Sequence, residues 1–234
     1  MSDYDMDVVP GTRAPVLADA LLARIHELNR DYVELILAER MLPAPGFPSD
    51  TLPPKVMDAL GSLDERSRKL VAKCPYALFT FGFDDDRFWM SALNEAEAAA
   101  REETVEARYG ALSGAPMQAA FTEVAMFLAW HTAHAHRMAA RVLFGMREEI
   151  ASQLTRIPLW QLRRIAVDYP GLLTPRWPGN PAFWPDLIRF AAAGNSKKLE
   201  TTQLLGNQLT AAELDGTLPR ATRLHRLRMR LKNS

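Results

Sequence analysis

Three histidines lie close together in one predicted helix, and histidine is the commonest metal ligand. His131 and His134 are three positions apart and share a helix face with Phe127 and Met138, whereas His136 points away from that face. No Asp, Glu or Cys on this face completes the set of three protein ligands that a catalytic zinc requires. We therefore predict no metal site. We expect His131 and His134 to lie at an interface, where their protonation would make binding pH-sensitive.

The other reactive side chains lack the neighbours that catalysis needs. The three adjacent carboxylates Asp84, Asp85 and Asp86 lack the alternation and the glycine of a calcium-binding loop, so we predict a solvated turn there. Cys74 is the single cysteine, which excludes an intrachain disulfide and a multi-cysteine zinc site. The chain has no nucleophile elbow and no Gly-rich phosphate loop. The sequence thus predicts a non-enzymatic protein without a cofactor.

Basic side chains on short predicted helices are the candidate contacts to nucleic acid. Residues 147–154 and 158–168 are predicted to form a helix, a turn and a second helix, and amide or guanidinium groups on such a second helix read base edges in the major groove. The alternative is that these side chains form the solvated face of helices whose apolar side packs inward. The candidates are Gln161, Arg163 and Arg164, with Arg66, Arg68 and Lys69 at the corresponding place in the first half.

The end of the sequence is basic and amphipathic. After Asp215 there is no acidic residue, and Leu224, Leu227 and Leu231 lie on the opposite helix face from most of the arginines. Such a helix contacts DNA phosphates, docks on an acidic partner, lies on an anionic membrane, or folds back on this chain's own acidic connector near residues 95–106. The leucine stripe favours docking. The candidate contact residues are Arg220, Arg223, Arg226 and Arg230.

Composition limits the class of protein. The 234 residues are 48% apolar and carry 28 basic and 28 acidic side chains, which is typical of a globular protein and argues against a non-specific nucleic-acid coat. The acidic start of the chain has no apolar run, and the longest apolar stretch, 126–130, is too short to span a bilayer. We expect no membrane association and, with one thiol, a cytoplasmic location.

The two halves of the chain repeat each other at a distance of 95 residues. Without a gap, five of 26 aligned positions between 68–93 and 163–188 are identical, including the dipeptides Phe88-Trp89 and Phe183-Trp184. The spacing is too long for a solenoid, whose repeats are about 20–50 residues. It predicts two related modules that pack with pseudo-twofold symmetry.

Apolar periodicity predicts a mainly α-helical fold with one short extended segment in each module. Helices are predicted at 17–41, 56–60, 65–73, 94–108, 117–143, 147–154, 158–168, 185–193 and 201–214, and Ser62 and Glu65 resemble a capping box. Extended segments are predicted at 77–83 and 172–177. The predicted divisions are a loose arm (1–15), a first module (16–93), an acidic connector (94–116), a second module (117–193) and a helical basic tail (194–234).

The second half resembles the FlhD family, the helical subunit of the flagellar master transcriptional activator. The family pattern is a Leu-Gly-Ile-x-Glu-Glu turn, a short helix, a Leu-Pro-Gln-led helix with a Leu-Ala pair, and an extended segment ending near Phe-Arg. The resemblance is clearest over 122–177 and fainter over 25–83, where Asn29 to Tyr32 and Leu35 to Arg40 are similar to the family's first helix. The residues that carry it are 144–151 (FGMREEIA), Leu154, Leu159, Gln161, Leu162, Ile165-Ala166, Leu172-Leu173 and Arg176-Trp177.

The chain departs from the family in three ways. Trp160 replaces a proline, the first half has a proline run in place of the Gly-Glu-Glu turn, and the family's members have one module where this chain has two. The resemblance implies a bacterial transcriptional regulator that acts within a protein complex, with an FlhC-like subunit or RNA polymerase as the partner and with DNA bound through the complex. The zinc-binding role would belong to the partner. The dimer-forming family also allows a homo-oligomer.

Two other functions are compatible with the sequence. A non-enzymatic adaptor would keep the fold without binding DNA and would bind another protein through the exposed faces of the long helices. A small-molecule sensor would use a pocket between the modules near His131 and His134.

Overall fold

The computed structural model describes residues 19–41, 52–83, 85–102 and 117–216. These residues are mainly helical, as the sequence predicted, and they contain one two-stranded sheet. The helices are α1 (Asp19–Met41), α2 (Pro54–Gly61), α3 (Glu65–Ala72), α4 (Asp86–Glu102), α5 (Met117–Ala135), α6 (Arg137–Phe144), α7 (Glu148–Leu154), α8 (Leu159–Asp168), a 3₁₀ turn (Pro170–Leu172), α9 (Phe183–Ala192) and α10 (Ser196–Leu214).

A short antiparallel ribbon joins the two halves of the sequence. Strand β1 (Phe79–Thr80) comes from the first half and β2 (Thr174–Pro175) from the second, and Phe79 pairs with Pro175 while Thr80 pairs with Thr174. The predicted extended segments are therefore present, but each contributes only two paired residues. Pro175 fits because a two-stranded ribbon has only edge strands, where a missing N–H donor is tolerated.

Several local features recur 95 residues apart around this ribbon. Gly82 and Trp177 both have positive φ angles, of 68° and 50°. Each is followed by a turn and a side-chain cap, because the Asp85 carboxylate accepts from Phe88 N at 3.1 Å and the Asn180 amide oxygen accepts from Phe183 N at 2.9 Å. The two tryptophans repeat as well. The indole of Trp89 donates to Phe81 O and that of Trp184 to Arg176 O, each eight residues back.

The long helices repeat at a slightly different spacing. In α1 and α5 most of the buried positions coincide at an offset of 93 residues, and Asn29 and Thr122, both fully buried polar residues, occupy the same place. The Asn29 amide donates to the carbonyl oxygens of Ala72, Cys74 and Tyr76 and accepts from Leu78 N. Asn29 thereby holds the chain that leads into β1 against α1.

After the ribbon, each half sends a helix into the other. Helix α4 packs against α7 and α8 of the second half, and α9 packs against α2 and α3 of the first. The core is continuous across the two halves and contains the fully buried side chains of Tyr32, Phe79, Phe81, Trp89 and Trp184. The two halves therefore bury each other's apolar surface.

The structure corrects three of the sequence-based predictions. The helix placed at 94–108 begins earlier, at Asp86, because Asp85 caps it. The helix predicted at 117–143 is broken at His136, whose φ of −149° and ψ of 87° are not helical. The predicted capping box is wrong, since the Asp64 carboxylate, rather than Ser62, accepts from Ser67 N at 2.7 Å. Hydrogen bonding to Ser67 lowers the pKa of Asp64.

Some predictions fall on residues outside the described ranges. These are the loose arm (1–15), the later part of the acidic connector (103–116) and the basic helix near the end of the sequence. Among the helices of the described ranges, none combines the length and apolar content needed to cross a bilayer.

The repeated caps lead to a paired prediction. We expect Asp85→Ala and Asn180→Ala each to lower the free energy of unfolding by about 0.5–2 kcal/mol, because each leaves the first turn of a helix without its side-chain acceptor. Urea denaturation of the two variants measures this. Asn195→Ala, which removes an equivalent acceptor for Lys198 N at the exposed start of α10, is the reference for a cap outside the repeat. A variant with no measurable loss would mean that its cap contributes nothing.

Candidate functional site

Four of the candidate nucleic-acid cations pair with carboxylates of the protein. Arg68 on α3 lies 3.3 Å from Glu34 on α1, and Arg163, its counterpart 95 residues later on α8, lies 3.3 Å from Glu123 on α5. Each arginine thus ties a short helix to the long helix of its own half. This repeated arrangement indicates a structural role for both guanidinium groups.

The remaining candidates divide between paired, buried and exposed positions. Lys69 pairs with Glu65, and Arg164 pairs with Asp168. Gln161 is only 5% exposed, so its amide does not face solvent where a base edge would be read. Arg66 lies at the surface. Arg220, Arg223, Arg226 and Arg230 lie outside the described residues.

The acidic cluster and the cysteine have structural surroundings. Asp85 caps α4, and Asp86 forms an ion pair at 2.9 Å with Arg147, the residue before α7, where a solvated turn was predicted. Cys74 is fully buried, and burial raises the pKa of its thiol to about 12. The thiol is therefore protonated and shielded at neutral pH.

The two histidines of the predicted interface have different surroundings. His134 is exposed, and its ring packs on Trp130 with 4.0 Å between centroids while Nδ1 lies 3.0 Å from Trp130 O. His131 faces a groove that His134 does not line. Within the described residues, no cluster of three or more His, Cys, Asp or Glu has the arrangement of a metal site.

The groove lies between α1, α5 and α6 and has a volume of about 1240 Å³. The rings of Tyr32 on α1 and Phe121 on α5 are 6.0 Å apart. From that contact the groove extends back along α1 to Ala20 and forward along α5 to Ala135, so the two helices run in opposite directions. The break at His136 turns the chain into α6, which forms the third wall.

The walls of the groove are apolar and its rim is charged. Among the apolar lining residues, Val124 is 58% exposed and Met138 57% exposed, which is unusual for side chains of this kind beside a core. The rest of the apolar wall includes Leu21, Leu28, Phe127, Leu128 and Val142. The rim carries Arg24, Glu27, Asp31, His131, His136 and Arg137.

The sensor alternative placed a pocket between the modules near His131 and His134, but the walls of the groove could not be predicted because they depend on how three helices meet. The histidine spacing placed Phe127 and His131 on one helix face, and both line the α5 wall, whereas Met138 lies on α6 and His134 does not line the groove. The predicted single helix over 117–143 concealed the break that creates the third wall.

A buried arginine organises the packing around the end of α6. The Arg176 side chain is fully buried, forms an ion pair with Glu213 and donates to Thr210 Oγ1 at 2.9 Å. It also donates to the carbonyl oxygens of Ala77 and Leu143 and lies 4.3 Å from the Trp177 ring centroid. These contacts join α6, β2 and α10 and define a structural centre with no open face.

No protein-family model, curated protein or solved structure matches this chain.

Proposed function

We propose that this chain is a non-enzymatic interaction protein that binds an amphipathic helix of a partner in the groove between α1, α5 and α6. The observation that supports this is the exposure of Val124 and Met138 within a continuous apolar wall. Exposed apolar patches with a polar rim are typical of protein-binding surfaces. An open apolar groove between helices binds a helix that presents apolar residues at positions i, i+3 or i+4, and i+7.

The rim gives the proposed partner a defined chemistry. Glu27 and Asp31 lie one turn apart on α1, while Arg24 and His131 lie toward the beginning of α1 and the end of α5. A complementary helix would carry basic side chains near the carboxylates and an acidic side chain near Arg24. Rim charges of this kind mainly set orientation and association rate.

The groove proposal predicts that Val124→Glu combined with Met138→Glu abolishes partner binding. Both positions are exposed, so the variant keeps its fold. Partner binding would bury the two new carboxylates against an apolar helix, which opposes association. Affinity capture from native lysate, with and without nuclease, measures recovery by mass spectrometry. Leu204→Glu on α10, at a position that is 60% exposed and outside the groove, is the matched control. Equal recovery of the same proteins by all three forms would contradict the proposal.

We also propose that the two halves derive from duplication of one module and are related by a pseudo-twofold axis through the ribbon. The register supports this, because Phe79 pairs with the counterpart of Thr80, and Thr80 with the counterpart of Phe79. A twofold axis produces that reciprocal relation. The reciprocal packing of α4 and α9 on the other half supports it as well.

A second candidate function is an FlhD-like transcriptional regulator that acts in a cytoplasmic complex. The observation in its favour is that α7 and α8 form two short helices joined by a turn, with Arg163 and Arg164 only partly covered. The Arg164–Asp168 pair is at the surface and stabilises the fold by only about 0–1 kcal/mol, so phosphate can compete for Arg164. The Arg163–Glu123 pair is more covered, with side chains 26% and 23% exposed, so Arg163 is held more firmly. In that case the partner would be an FlhC-like subunit or RNA polymerase.

The two functions differ in their dependence on Arg163 and Arg164. For the regulator, Arg163→Ala with Arg164→Ala is expected to weaken DNA binding by the assembled complex and to reduce its salt dependence. Fluorescence anisotropy at two salt concentrations measures this, with Arg189→Ala as a surface control on α9. The adaptor is favoured if partner capture requires the groove residues and is unchanged by nuclease and by the Arg163→Ala, Arg164→Ala variant.

A further inference from the structure

We propose that residues 217–234 of this chain dock in the groove between α1, α5 and α6 as an intramolecular ligand. This goes beyond the proposed function, because the docking requires no second protein.

The position at which the described chain ends places the segment close to the groove. The last turn of α10 lies against the end of α6, since Glu213 is paired with Arg176 and both approach Gly145, the residue after α6. Gly216 lies beside Arg147. Val142, on the groove wall, is three residues before Gly145, which corresponds to about 5 Å along a helix.

The length of the segment matches the groove. Eight Cα–Cα steps lead from Gly216 to Leu224, and they reach up to about 27 Å when extended. The groove follows α1 from Ala20 to Asp31, which is about 17 Å of helix. A helix from Leu224 to Leu231 is about 11 Å long and fits within that span.

The chemistry of the segment matches the walls and one side of the rim. Leu224, Leu227 and Leu231 have the i, i+3, i+7 spacing with which a helix fills an apolar groove. Arg228, four residues after Leu224, flanks that stripe and is placed to meet carboxylates on the rim.

Two carboxylates on the groove rim are placed to form ion pairs with the basic side chains of the segment. Within the described residues no hydrogen bond or ion pair engages Glu27. Asp31, one turn further along α1, pairs with Arg30 at 3.4 Å, but both side chains are about half exposed, and a pair of this kind contributes little and can be exchanged. The Arg137 cation is already paired with Glu148. Residues 1–18, which precede α1 in the sequence, carry Asp3, Asp5 and Asp7, which Glu27 and Asp31 would repel.

A disulfide test in the full chain distinguishes docking from a freely moving tether. Cysteines are introduced as the pair Met138→Cys and Leu227→Cys, and the native Cys74 does not interfere because it is buried with its pKa raised to about 12. The matched control is Met138→Cys with Arg226→Cys, which places the second thiol on the opposite face of the tail helix. A third pair, Leu204→Cys with Leu227→Cys, reports collisions away from the groove.

Docking predicts that the 138–227 pair forms an intramolecular disulfide at least tenfold faster than either control pair at micromolar protein. Adding Glu27→Arg and Asp31→Arg is expected to reduce that rate several-fold. Equal rates for the 226 and 227 pairs would mean that the segment is only tethered, and the proposal would fail. Disulfide-linked dimers as the main product would assign the groove to a second copy of the chain and would also overturn it.

This test is separate from the test of partner binding. In one outcome, the 138–227 pair shows no faster disulfide formation, while partner capture still depends on Val124 and Met138. That outcome would contradict docking of residues 217–234 and would support the groove as a partner site. In the other outcome, the 138–227 disulfide forms much faster than the controls, but no captured protein depends on the groove. That outcome would support docking of residues 217–234 and contradict the proposed function.

Discussion

Replacing Arg176 with alanine is expected to lower the free energy of unfolding by about 3–5 kcal/mol, which is the usual cost of removing one partner from a buried ion pair. The Arg176 side chain has no exposed surface, and its loss leaves Glu213 and the Ala77 and Leu143 carbonyl oxygens without their donor. Chemical denaturation followed by tryptophan fluorescence measures the change, and Trp177 beside the guanidinium reports on the same region.

An exposed arginine provides the comparison. Arg40→Ala removes an ion pair with Asp58 in which both side chains are largely exposed, and such pairs contribute about 0–1 kcal/mol. Arg176→Lys keeps a charge but loses the planar group that reaches several acceptors, so we expect it to recover little of the stability. Similar losses for Arg40→Ala and Arg176→Ala would show that burial does not increase the contribution of Arg176.

The second large effect is expected at Gly206, where α10 meets the core. A Cβ at this position would lie 1.7 Å from the Tyr76 hydroxyl oxygen and 2.3 Å from Tyr76 Cζ, so alanine requires the ring or the helix to move. The Tyr76 hydroxyl donates to Gln203 O, and its ring packs on Trp177 and Phe183. Because that ring is held on several sides, the helix is the element that must shift.

We expect Gly206→Ala to cost about 1–3 kcal/mol or more, despite the gain of about 1 kcal/mol in helix propensity. Hydrogen exchange should show faster exchange in α10 than in α1 or α5. Gly179→Ala is the control, because no atom lies within 4 Å of its added Cβ and the change should be nearly neutral or slightly stabilising. Wild-type stability and unchanged exchange in Gly206→Ala would contradict the close packing of α10 on Tyr76.

The helices could be predicted because their information is local. The apolar spacing in α1 and the proline and glycine positions around α7 and α8 indicated those elements to within a few residues. Asp64 and Asp85 show the limit of this approach. Two or more residues near each helix start could act as the cap, and the one that does is decided by the path of the preceding chain.

The sites were harder to predict because they depend on contacts between distant parts of the sequence. Arg163 and Arg68 have the residue type of phosphate contacts, and only the packing of α8 and α3 shows that Glu123 and Glu34 face them. Arg176 was noticed as part of a motif, but its burial could not be expected from an Arg-Trp dipeptide. The groove required the helix break at His136, which no proline or glycine marks.

The exchange of α4 and α9 between the halves has a consequence for the connection between them. Each half holds a helix of the other in its core, so the contacts that join the halves do not depend on the peptide bonds of residues 103–116. The covalent connection acts by keeping the two halves at a high effective concentration, as a linker does for two binding modules. A chain cleaved within 103–116 therefore resembles an interlocked dimer, in which neither fragment has a complete core until the other supplies its helix.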